Sequence, residues 1–167
     1  MTASAEITKL AEALTATGFS IKRDEQVERA QVLIARRADA IWHASRIHAF
    51  IVVFSEPDLS VRRAEELSAA AQAYAIKHKG GLPRGLQTGT FTFPTFICWT
   101  HPDELAEWFK REHKHRFAAL QLPVLADLDT HKLVWFKGRL SRGYFFQEHF
   151  HEIIRNTLAP GLGCDVA

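Results

Sequence analysis

Apolar residues along this chain recur in two rhythms, every three or four positions in some stretches and every second position in others. In residues 4–17, Ile7, Leu10, Ala11 and Leu14 fall at helical spacing and Gly18 follows as a stop, which predicts an amphipathic helix. Phe19, Ile21 and the polar residues 22–25 predict a short strand and a turn, and residues 31–38 a strand centred on Val32-Leu33-Ile34. Residues 47–54 are almost continuously apolar, the pattern of a central strand buried on both faces. Between these two runs, residues 39–46 read equally as a turn or as strand extension.

Glu56-Pro57-Asp58 punctuates the chain, and residues 59–78 predict a long helix with Ala64, Leu67, Ala71 and Tyr74 on its inner face. In residues 90–99, Phe91 and Phe93 alternate with threonines, while Pro94 argues for a bulge or an edge position. Thr100 with Asp103 three residues on reads as a capping box for a helix burying Leu105, Trp108 and Phe109 and ending in basic residues near His113. Leu120, Leu122, Val124, Ala126 and Leu128 share one face of a period-two strand. Asp129-Thr130-His131 makes a turn and residues 133–137 return, so a β-hairpin is predicted. A final helix over residues 144–158 carries Phe145, Phe146, His149, Phe150, Ile153 and Ile154 on one stripe.

The order α-β-β-β-α-β-α-β-β-α predicts an α+β fold. It is a single-domain α/β sandwich with a mixed or mainly antiparallel sheet of about five or six strands and helices packed on it. The domain is expected to span residues 1–160, with residues 161–167 a flexible tail after Pro160.

Composition agrees and excludes some classes. The 167 residues are 47% hydrophobic and 24% charged, as in ordinary globular domains, and a chain this long holds a core without staples. Its 21 Lys and Arg against 19 Asp and Glu leave a net charge of +2, which excludes a strongly basic nucleic-acid arm and an acidic tail. The excess is uneven: residues 110–167 carry nine cations and six acids. Two cysteines make no disulfide framework, and no secretory leader or membrane-length apolar run appears, so a cytoplasmic setting is expected.

Several clusters bear on chemistry. Residues 77–90 hold four glycines and the cations Lys77, Lys79 and Arg84 between a helix and a strand. Glycine backbone and a guanidinium suit an anion, yet no Walker pattern is present and the loop follows a helix instead of preceding one. The plainer reading is a helix cap and crossover loop. Lys110, Arg111, His113, Lys114, His115 and Arg116 crowd seven residues, a possible phosphate footprint or a basic helix end that complements the dipole. His113/His115 and His149/His151 have the spacing of strand ligands, but on a helix such pairs diverge by about 200°. No metal and no cofactor is expected, and His149 reads as a satisfied core residue. Cys98 reads as a buried small hydrophobe. The αβββαβ opening suggests a restriction-nuclease-like core, but that chemistry needs acids on neighbouring strands, and residues 47–54 contain none. With 12 Phe and 4 Trp to place, an exposed apolar surface at Trp135, Phe136 and Tyr144 is expected to serve a protein partner or a homodimer.

Residues 79–89, Lys-Gly-Gly-Leu-Pro-Arg-Gly-Leu-Gln-Thr-Gly, followed by Arg116-Phe117-Ala118-Ala119 and Pro123-Val124-Leu125-Ala126-Asp127-Leu128, resemble a family of short uncharacterised bacterial proteins over about the middle third of the chain. The resemblance implies a bacterial cytosolic setting and carries no catalytic residues with it.

Three functions follow as expectations. First is a non-catalytic interaction or regulatory module that self-associates, since no catalytic set is assembled in the sequence. Second is nucleic-acid binding through the basic loop and helix end. Third is a small enzyme acting on a phosphate or carboxylate near Arg84, with His78 or His113 as base.

Overall fold

The computed structural model describes residues 3–42, 45–80, 88–116 and 118–166. Helix α1 (Ala3–Ala16) leads into a meander of β1 (Ser20–Val27), β2 (Ala30–Trp42) and β3 (Ser45–Phe54). Helix α2 (Val61–His78) crosses over to β4 (Thr88–Cys98), and α3 (Asp103–Phe109) precedes β5 (Ala119–Gln121), β6 (Val124–Asp127) and β7 (Lys132–Val134). The seven strands form one open mixed sheet in the order β1-β2-β3-β4-β6-β7, with β5 beside the first half of β4. β1, β2 and β3 pair antiparallel, β4 runs parallel to β3 and to β5 and β6, and β6–β7 is the expected antiparallel hairpin.

Alternation along the strands sends two sets of side chains to opposite faces. Leu33, Ala35, Ala49, Ile51, Phe91 and Phe93 meet Leu10 and Leu14 of α1 and the last helical stretch on one face. Ile34, Phe50, Val52 and Phe96 meet Ala64, Leu67 and Ala71 of α2 and Leu105, Trp108 and Phe109 of α3 on the other. This is the α/β sandwich that the pattern predicted. The undecided residues 39–42 extend β2, so the β2–β3 ladder runs from Val32↔Phe54 to Trp42↔Ser45.

The strand expected over residues 120–128 is two strands broken at Leu122-Pro123, which makes seven strands where five or six were expected. The same break accounts for Pro94, which stands in the middle of the sheet instead of at an edge or bulge. Thr90 N–H donates to Ala118 O and Thr92 O accepts from Leu122 N–H, so the even residues of β4 turn their backbone groups toward β5 and β6. The nitrogen of Pro94 faces the gap between β5 and β6, where no ladder bond is forfeited.

Four more expectations change. Pro102, not Thr100, is the N-cap of α3, and no side chain caps it. The helix ends at Phe109, so the cluster from Lys110 to Arg116 lies beyond its end instead of in its last turn. The helix expected over residues 144–158 is divided into a 3₁₀ turn (Tyr144–Phe146), α4 (Gln147–Ile153), a π turn (Ile154–Leu158) and α5 (Ala159–Leu162). Pro160 has no N–H to return to the preceding turn, and the helix widens just ahead of it. Residues after Pro160 pack instead of trailing: Leu162 and Cys164 are buried, and Asp165 N–H donates to His131 O at 2.7 Å. Among the described residues, no helix is long and apolar enough to cross a membrane.

Candidate functional site

The parallel pairing of β3 with β4 sets the starts of both strands at one end of the sheet, with Arg46 opposite Thr88 and Ile47 opposite Gly89. The parallel β5 joins them there, Ala119 opposite Thr90 and Leu120 opposite Phe91. A cavity of about 340 Å³ opens at this end. Its floor is Ile47, Phe91, Leu120, Phe146 and Phe150, and its polar groups are the guanidinium side chains Arg46, Arg116 and Arg142 with Thr88 and the backbone of residues 89–90.

Local chemistry explains how each arginine arrives. Arg116 opens a tight turn in which its N–H donates to Ala119 O at 2.9 Å and its carbonyl oxygen accepts from Ala119 N–H at 3.0 Å. Ala118 in that turn has a φ of +48°, and its carbonyl would stand 3.1 Å from a Cβ at position 89, so Gly89 is what lets the turn lie close to β4. Gly143 does the same for Arg142. It takes the left-handed conformation at φ +73°, and a Cβ there would sit 2.1 Å from Leu120 Cδ1. Gly143→Ala is therefore expected to cost at least about 1–2 kcal/mol in backbone strain alone, with further loss from displacing Leu120, and to deform the cavity floor. Urea denaturation measures it; a change within about 0.5 kcal/mol would contradict it.

All three arginines are exposed, and among the described residues none of them stands within ion-pair distance of a carboxylate. Some cations elsewhere do have carboxylate partners. Lys110 Nζ donates to Glu107 Oε1 at 2.6 Å, and Arg37 grips both oxygens of Asp39 at 2.6 and 2.9 Å.

Of the candidate site residues singled out in the sequence, Arg116 alone among the described residues joins this cavity. Arg84 lies outside the described residues. Lys77 is exposed on the last turn of α2, whereas Lys79 is buried at its end and donates to Gly80 O and Thr88 Oγ1. Lys110, Arg111 and Lys114 are exposed on the segment after α3. His113 and His115 line a separate shallow depression with Glu112, Ser141 and Arg142. Neither is a poised base. His113 Nε2–H donates to Trp108 O at 2.9 Å, and burial pulls its pKa below the usual histidine range. His115 uses both nitrogens, one toward Glu112 Oε1 at 3.2 Å and the other accepting Gln121 N–H at 3.3 Å. His78 is exposed, stacked on Tyr74 and bonded to Tyr74 O.

The expected apolar surface is smaller than supposed. Trp135 is 3% exposed and packs in the core just beyond the end of β7, and Phe136 is half-buried. Tyr144 is exposed, and so is Phe145, which leaves the helical stripe because the 3₁₀ turn rotates it outward. His149 is half-buried instead of core, and its Nε2–H donates to Asp39 Oδ2 at 2.8 Å, tying α4 to β2. Cys98 is buried as expected, and burial pushes its thiol up to about 11. The αβββαβ order is realised in α1 to β4, yet β3 carries no acid and Asp39 on β2 is engaged by Arg37 and His149. Among the described residues, no group of three or more His, Cys, Asp and Glu is disposed to hold a metal ion.

Sequence reading missed Arg46 and Arg142. Arg46 stands one residue before an apolar run, and only the parallel register with β4 gives it meaning. Arg142 precedes a glycine and three aromatics, a local sign of a constrained turn but not of a cavity.

The molecule is thus defined by its fold as an open mixed sheet between two helical layers, with an arginine-rimmed cavity at one sheet end. The sequence matches no protein-family model, no curated protein and no solved structure.

Proposed function

We propose that this protein is a non-catalytic binding module whose cavity takes an anionic group, phosphate or carboxylate, carried on an apolar body. The carrying observation is the convergence of Arg46, Arg116 and Arg142, none ion-paired among the described residues, on one cavity with an aromatic floor. Guanidinium groups bind phosphate and carboxylate through paired N–H donors. About 340 Å³ is at the small end of ligand sites, enough for a compact molecule. The described lining consists of arginine, threonine, glycine and apolar side chains, three of them phenylalanine, a set suited to holding an anion more than to moving a proton.

This reading narrows the interaction or regulatory module expected from the sequence to one that responds to a ligand. A homodimer, also expected there, would be built on Tyr144 and Phe145, because Trp135 is internal.

Isothermal titration with inorganic phosphate and phenyl phosphate tests the proposal. Phenyl phosphate is expected to bind more tightly than phosphate, because its ring gains the apolar floor. Arg116→Ala and Arg142→Ala are each expected to weaken it about 10-fold or more, given about 1.5–3 kcal/mol per charge-assisted hydrogen bond. Equal affinity in wild type and in the variant lacking all three arginines would overturn the reading.

A further inference from the structure

Between two residues that line the cavity, Gly143 and Phe146, the chain puts two aromatic rings on the outside. Tyr144 is 41% exposed and Phe145 is 79% exposed, the largest exposure of any described large hydrophobic residue. Their rings stack on each other with centroids 4.0 Å apart and planes 32° from parallel. The guanidinium carbon of Arg139 sits 4.4 Å from the Tyr144 centroid. The 3₁₀ turn that carries the rings is fixed at its start by Gly143 and at its end by Phe146, which packs toward the core with its ring centroid 6.3 Å from Phe150. The rings are therefore held outward by a constrained turn whose flanking residues, Arg142, Gly143 and Phe146, line the cavity with Arg46 and Arg116, and among the described residues none of the cavity's three arginines is ion-paired.

Resting on the anion-binding reading above, we infer that the ligand of this site is a single-stranded nucleic acid segment. A phosphate sits among Arg46, Arg116 and Arg142, and a neighbouring base stacks on Phe145. Both halves of the chemistry are present. A sequence-tolerant single-strand site needs cations that track the backbone and an aromatic face open to a base. Arg139, against the Tyr144 ring, and Arg142, in the cavity lining, add positive charge along the same short segment. A protein partner would meet two rings with Arg139 against one of them and Arg142 two residues before it in the chain, an arrangement that complements phosphates better than an apolar patch. Duplex DNA, with its bases stacked inside, offers nothing to Phe145.

Fluorescence anisotropy with labelled dT12, rU12 and a 12-base-pair DNA duplex, run on the full chain alongside phosphate titration, tests the inference. Phe145→Ala is expected to weaken single-strand binding about 10-fold, within the range found for one lost base stack, and to leave phosphate affinity unchanged. Arg142→Ala is expected to weaken both. Single-strand affinity is expected to fall steeply with salt, and the duplex to bind more weakly than either strand. The dT12 and rU12 arms decide between DNA and RNA. Phosphate binding without oligonucleotide binding, or oligonucleotide binding indifferent to Phe145, would overturn this inference and leave the anion-binding reading standing. Loss of phosphate binding in the wild type would overturn both. A Phe145→Ala variant that changes from dimer to monomer by light scattering, with no effect on oligonucleotides, would assign the rings to a second copy of this chain and overturn the inference.

Discussion

Phe150→Ala is expected to destabilise the protein by about 3–5 kcal/mol, a large part of the stability of a domain this size. Phe150 is fully buried on α4, its ring stacked on Phe91 at a centroid distance of 3.3 Å and edge-on to Phe93 at 6.4 Å. It joins the last helical stretch to the centre of β4 and also forms part of the cavity floor. Truncation would remove those ring contacts and open a void continuous with the cavity, which surrounding side chains cannot fill without leaving their own sites. Urea denaturation of wild type and variant measures the loss. Phe145→Ala, five residues earlier but exposed, is the matched comparison and is expected to change stability by less than about 0.5 kcal/mol. A Phe150→Ala loss below about 1 kcal/mol would contradict the packing described here.

The second large effect is at Asp39. Its carboxylate accepts Arg37 Nε–H and Nη2–H and His149 Nε2–H, and Arg37 in turn donates through Nη1 to Thr17 O at 2.7 Å. One side chain thus links β2, the segment after α1, and α4. Asp39→Ala is expected to cost about 2–3 kcal/mol at pH 7, less than for a fully buried pair because Arg37 keeps 24% of its side-chain surface in water. Burial by itself would raise the Asp39 pKa. The hydrogen bonds from His149 and Arg37, together with the charge of Arg37, outweigh it and hold the carboxyl below its ordinary value of 3.8. A carboxyl depressed on folding stabilises fully above its unfolded value, and the contribution disappears as pH falls through the folded value. The difference between wild type and Asp39→Ala is therefore expected to shrink as the pH falls below about 3.8. A difference that persists undiminished at pH 2.5 would contradict the assignment.

Much of the fold was legible because burial periodicity is a local property. Helices α1 and α2 and the β6–β7 hairpin appear where the spacing of Leu10, Leu67 and Leu133 and their neighbours predicts them. The residues that misled did so through partners far away in sequence. Pro94 breaks a strand in isolation, but here the gap at Leu122-Pro123 receives its missing donor. Trp135 and Phe136 look alike in a string, yet just beyond β7 the chain buries one in the core and leaves the other half out. The site was least legible of all. Arg46, Arg116 and Arg142 are separated by 70 and 26 positions, and only the parallel alignment of β3, β4 and β5 brings them to one end of the sheet. The dense basic cluster attracts attention by its composition, but Lys110, His113 and His115 are held by hydrogen bonds, Arg111 and Lys114 are exposed away from the cavity lining, and Arg116 lines the cavity.

The central claim is that these three guanidinium groups and their aromatic floor form one anion site. Titrating phenyl phosphate into ¹⁵N-labelled protein tests it most directly, through the amides of Gly89, Thr90, Ala118 and Gly143 around the cavity. Those amides are expected to shift together and saturably, Gly161 and Gly163 at the α1–α5 side to stay still, and the response to weaken in Arg116→Ala. Unmoved cavity amides, or shifts centred on Gly161 and Gly163, would contradict the account.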